Sequence, residues 1–119
     1  MKKFSFGVVV LVLATAGLAG ASSVGPKADI AAVSATVAKL HSGDTATEVH
    51  VVGNYALVNW LARPEGSGFA SYKRVSGEKW KELQFSGGAA GGPSGLTGIP
   101  AAIAKQLCGG KGSWSSSPC

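Results

Sequence analysis

Residues 47–62 read TEVHVVGNYALVNWLA, and the way this stretch pairs with itself decides the fold. β-Branched and aromatic residues run up to Gly53-Asn54 and resume beyond it. Glycine accepts the positive φ that the first position of a tight hairpin turn requires. The stretch is therefore predicted as two strands, 47–52 and 55–62. A two-residue turn fixes the partners: Val52 with Tyr55, Val51 with Ala56, Val49 with Val58, and Thr47 with Trp60. One face then carries Val49, Val51, Ala56, Val58 and Trp60, and reads as core. The other carries Glu48, His50, Val52, Tyr55, Leu57 and Asn59.

Downstream, the loop 63–68 (RPEGSG) leads into a third predicted strand, Phe69 to Val75. Ser76-Gly77-Glu78-Lys79 turns it into a fourth, Trp80 to Ser86. This turn pairs Val75 with Trp80, Lys73 with Glu82, Tyr72 with Leu83 and Ala70 with Phe85. Trp60 and Tyr72 are predicted to face the core. Tyr55 and Trp80 fall on the opposite face, and with the nearby cations Arg63 and Arg74 they are the candidate partner-contact residues.

Upstream, Ile30, Val33, Val37 and Leu40 recur at spacings of three and four, one side of a helix over 27–40. Pro26 suits its first turn and His41-Ser42-Gly43 its end. After the fourth strand, GGAAGGPSGLTG (87–98) reads as a flexible linker. Pro100 opens a short helix over 101–107, with Ile99, Ile103 and Leu107 on one side. The predicted class is α+β: an N-terminal helix packed on a four-stranded antiparallel meander, a short C-terminal helix, and a tied tail.

The N-terminus is read as a separate segment. Lys2 and Lys3 precede an apolar run from Gly7 to Gly20, and Ala19-Gly20-Ala21 has the small-x-small pattern of a signal-peptidase site. The run falls short of the ~20 residues of a spanning helix. Residue 21 is alanine, so the thiol of a lipoprotein anchor is missing. The expectation is a cleaved leader (1–21), a small domain (22–107), a disulfide-closed tail (108–119), export to the periplasm or medium, and no membrane span after processing.

Setting Lys2 and Lys3 aside leaves nine basic residues against six acids. They are spread along the chain, too diffuse for a nucleic-acid partner. Cys108 and Cys119 are the only cysteines, so in an exported chain they pair with each other. They lack the close spacing of a redox pair.

Catalytic signatures are missing. The Gly-rich stretch lacks the lysine of a phosphate loop, no serine sits in a G-x-S-x-G elbow, and the six acids suggest no hydrolase pair. His41 with Asp44, and Glu48 with His50, are neighbours in sequence but too few for a metal site, and read as surface polar groups. No catalytic, cofactor or metal residues are assigned.

Gly53, Tyr55, Ala56, Leu57, Val58 and Trp60 form a G-x-Y-A-L-V-x-W strand. Glu65, Gly66 and Gly68 follow in a Gly-rich turn, then Lys73, Gly77 and Trp80 in a hairpin. Gly87, Gly88, Gly98, Ile99, Pro100 and Leu107 close the pattern. Over roughly half of residues 22–119, this resembles small exported proteins of unknown function frequent in cyanobacteria. The turn 64–68 and the terminal cysteines depart from that pattern. The resemblance implies export and a compact α+β fold, with no activity to carry over.

The functional expectation is a non-catalytic binding module for a protein or cell-envelope partner. Two alternatives are an inhibitor of an envelope-acting hydrolase such as a lysozyme, and a small metal protein or enzyme built on Glu48 and His50. The inhibitor reading looks to Ser67-Gly68 followed by Tyr72.

Overall fold

A computed structural model gives the structure of residues 22–62, 66–109 and 114–119. The leader 1–21, Arg63 and Glu65 lie outside these described residues. Helix α1 (Lys27–Leu40) is followed by strands β1 (Asp44–Val52), β2 (Tyr55–Ala62), β3 (Gly66–Ser76) and β4 (Lys79–Gly87), a 3-10 turn at Pro93–Gly95, and helix α2 (Ala101–Gly109). The strands form one antiparallel meander in the order β1-β2-β3-β4. Cys108 and Cys119 are joined as a disulfide.

The first hairpin turns at Gly53, with φ at 60°, and pairs Val52 with Tyr55, Val51 with Ala56 and Val49 with Val58. A bulge between Ala46 and Glu48 then moves Trp60 opposite Ala46 rather than Thr47. The extra residue absorbs one position, so the faces beyond it swap parity. Glu48 remains on the face of His50 and Leu57, while Ala46 joins the core with Val49 and Val51.

The second hairpin carries two irregularities that cancel. Ser76 pairs with Lys79, and Ala70 with Phe85, as the turn dictates. Between them the register slips by one: Arg74 faces Trp80, Lys73 faces Lys81 and Tyr72 faces Glu82. Val75 bulges from β3 at one end of the slip, and Leu83 from β4 at the other. The expected pairs of Lys73 with Glu82 and Tyr72 with Leu83 are thereby replaced. Trp80 rotates onto the face of Tyr72, away from that of Tyr55, and becomes core at 7% exposure.

Both faces of the sheet are covered. On one, Val33 and Val37 of α1 pack against Val49, Val51, Ala56, Val58, Ala70, Tyr72 and Trp80. On the other, Leu57 and Phe69 are buried beneath Leu96, Ile99, Ala104 and Leu107, with Trp114 and the disulfide at the margin. The segment 87–98, expected as a free linker, is thus part of the second layer. The Gln84 side chain holds it, donating to the carbonyl of Gly95 and accepting from the Thr97 amide.

The N-terminal residues close the edge of β1. Val24 exchanges backbone hydrogen bonds with Val49 and Val51 as a short parallel bridge. The Ser23 hydroxyl accepts from the Val49 amide.

Gly68 is where β3 passes closest to its neighbours. A Cβ there would meet the Ser86 carbonyl at 2.0 Å and Trp60 Cζ2 at 2.5 Å. Gly68→Ala is expected to destabilise the protein by about 1–3 kcal/mol through overpacking. Gly87→Ala, with its nearest atom at 4.0 Å, should stay within about 0.5 kcal/mol of wild type. Urea unfolding followed by tryptophan fluorescence compares the two.

Candidate functional site

Of the contact residues expected from sequence, Arg74 and Trp80 are drawn inward. The Arg74 guanidinium lies 4.5 Å from the Trp80 ring centroid. It forks onto Asp29 of α1, Nη1 to Oδ1 at 3.0 Å and Nη2 to Oδ2 at 2.8 Å. Its Nε donates to the Asn54 side chain and Nη1 to the Gly77 carbonyl. One side chain therefore ties the start of α1 to both hairpin turns. The hydrogen bonds from Arg74, with its charge, hold the Asp29 carboxyl below its usual range, although burial acts against them. Tyr55 stays half-buried on the opposite face, with Lys73 Nζ 6.0 Å from its ring centroid.

Glu48 and His50, expected on a solvated strand face, are buried at 4% and 3% exposure. His50 Nε2 donates to Glu48 Oε2 at 2.8 Å. The His50 ring stacks on Trp114 with centroids 3.6 Å apart. The Ser115 amide donates to the same carboxylate at 3.1 Å. These two residues anchor the tail. Trp114, standing alone among Gly, Ser and Lys in 109–117, was the sequence signal that this tail docks.

A second polar cluster lies under α1. The Tyr72 hydroxyl and His41 Nε2 both donate to Glu82 Oε1, each at 2.8 Å. His41 stacks on Phe85, which stacks in turn on Trp60. Burial first, then the Glu82 carboxylate, push the Tyr72 phenol far above its ordinary range. Tyr72 is fully buried, so the Ser67–Tyr72 stretch is strand rather than a projecting loop. Among the described residues, no three His, Cys, Asp or Glu side chains gather as a metal site. No described helix is long and apolar enough to cross a membrane.

A cleft of about 310 Å³ opens at the β2–β3 end of the sheet. Its floor is Thr47, Asn59, Trp60 and Ser67, and one wall is Ser116-Ser117-Pro118 of the tail. Gly88 and Ala89 close the other side. The wall is fixed to its surroundings: the Asn59 amide donates to the Ser116 carbonyl, and the Ala90 amide to that of Pro118. The described lining holds hydroxyls, an amide, backbone, one indole and the aliphatic Leu61, with no ionisable side chain. Sequence reasoning pointed to the neighbouring 63–68 loop but missed the tail residues, because nothing local in SSSP says where it docks.

Comparison with protein families, with curated proteins and with solved structures returned no match.

The Asp29–Arg74 pair makes a pH-dependent prediction. A carboxyl whose folded pKa is depressed stabilises the fold fully above its unfolded value, near 3.8, and loses that contribution as the pH falls through the folded value. Asp29→Asn should therefore lower the urea midpoint at pH 7. The gap to wild type should narrow progressively below pH 3.8. A gap constant down to the acid limit would refute an electrostatic origin.

Proposed function

We propose that this is an exported, non-catalytic binding module, and that the cleft at the β2–β3 end of the sheet receives its partner. The observation that carries the reading is the cleft's construction: a recess whose described lining is uncharged, with hydroxyls and an amide beside Trp60 and Leu61, and whose wall is the disulfide-tied tail. Its volume lies at the small end of the ~300–1,000 Å³ typical of ligand sites. It suits one unit of an uncharged polar polymer, such as a sugar ring or a short peptide segment, presented by a larger envelope component. The polar clusters at Glu48–His50 and His41–Glu82 lie outside its described lining, which supports recognition rather than proton transfer. The disulfide agrees with an oxidising compartment.

Ala89 is exposed at the rim, so Ala89→Trp fills the cleft without disturbing the core. Wild type should capture at least one component from a cell-envelope fraction that Ala89→Trp recovers at least tenfold less well. Equal recovery of every component by both proteins overturns the assignment.

A further inference from the structure

We infer that the opposite end of the sheet, at the two hairpin tips, is a docking surface for an anionic lipid bilayer. This goes beyond the cleft reading and does not depend on it.

The argument begins with a like-charged pair. Lys73 of β3 and Lys81 of β4 sit directly opposite each other, an arrangement that costs the sheet stability. The double bulge creates it, by replacing the Lys73–Glu82 pairing that a regular ladder would give. Lys79 lies two residues from Lys81, on the same side of β4. Among the described residues, none of the three comes within 4.0 Å of a carboxylate.

Three of the acids are engaged away from this corner. Asp29 is held by Arg74, and the charge of Glu78 also acts on Arg74. Glu82 turns to Tyr72 and His41, and Glu48 to His50 beneath the tail. Asp29, Glu82 and Glu48 are thus engaged under α1 or beneath the tail, while Glu78 stays exposed in the β3–β4 turn beside Lys79, where the three ammonium groups outnumber it.

Protection of an open sheet edge does not account for this. Lysines commonly guard edge strands, and β4 is an edge, but β3 is interior and Lys73 stands on it.

The residues beside Lys73 identify the partner. Tyr55 is the cross-strand neighbour of Lys73. Val75, pushed out by its bulge, is 56% exposed. A soluble polyanion offers nothing to an exposed aliphatic side chain. A bilayer presents phosphate at the level of the lysines and hydrocarbon just beneath, which an aromatic ring and a valine can enter. The contact is peripheral and reversible, each lysine contributing roughly a fivefold gain in partitioning.

The test uses protein recovered from the exported fraction, with the same N-terminus for every variant by mass spectrometry. Sedimentation is measured with phosphatidylcholine vesicles, with and without phosphatidylglycerol. Wild type should partition onto the phosphatidylglycerol vesicles only, less so as salt rises. Lys73→Glu creates an opposite-charge pair with Lys81, so it should hold or raise the urea midpoint while cutting partitioning on the order of tenfold. Val75→Ser should weaken vesicle binding and leave retention on soluble heparin unchanged. Equal binding of wild type to both vesicle types, or full binding by Lys73→Glu, overturns the proposal. Heparin binding as tight as vesicle binding, with Val75→Ser indifferent in both, assigns the corner to a soluble polyanion and overturns it equally.

Discussion

The sheet is apolar on both sides, and that constraint organises the molecule. A hairpin with Val49 and Val58 on one face and Leu57 on the other cannot leave either face in water. Helix α1 covers the first. The second is covered piecewise, by Leu96, Ile99, α2 and the tail, none of which is long enough to be stable alone. The disulfide answers this weakness: it ties the end of α2 to the last residue of the chain, a closure worth ~3 kcal/mol on chain-entropy grounds. The tail so fixed also becomes a wall of the cleft. The same bond therefore serves packing and gives the cleft its wall.

Charge is organised by the same two-sidedness. Arg74 gathers Asp29, Asn54, Gly77 and Trp80 into one joint between helix and turns. Glu82 satisfies Tyr72 and His41 where a buried hydroxyl would otherwise lack a partner. With Asp29, Glu48 and Glu82 engaged inside, the three lysines at the tips outnumber the exposed Glu78 beside them, and among the described residues none forms an ion pair. Among the described residues, one end of the sheet is a recess with no ionisable side chain in its lining and the other a corner with three lysines.

Local signals were legible where they were strong. The 3–4 spacing of Ile30, Val33 and Val37 gave α1 its observed limits, and Gly53-Asn54 set the pairing of the first hairpin. Cys108 and Cys119 had no other partner to choose. The bulges were not legible: a sequence shows where a turn lies, but a slip of one residue at Val75, undone at Leu83, is chosen by packing. It brings Trp80 under α1, over which Arg74 then lies. For the same reason Glu48 and His50 looked solvated. Their burial depends on Trp114, more than sixty residues away, and no local pattern reports it. The cleft shared that fate, since one of its walls comes from the tail.

The first described residue meets the tail: the hydroxyls of Ser22 and Ser115 share a hydrogen bond at 2.8 Å, and the Ser115 amide donates to the Glu48 carboxylate. A chain folded only as far as β4 would leave the oily surface around Leu57 and Phe69 bare, because Leu96, Ile99, Ala104 and Leu107 all follow it in sequence. Burial of that side therefore has to follow synthesis of α2.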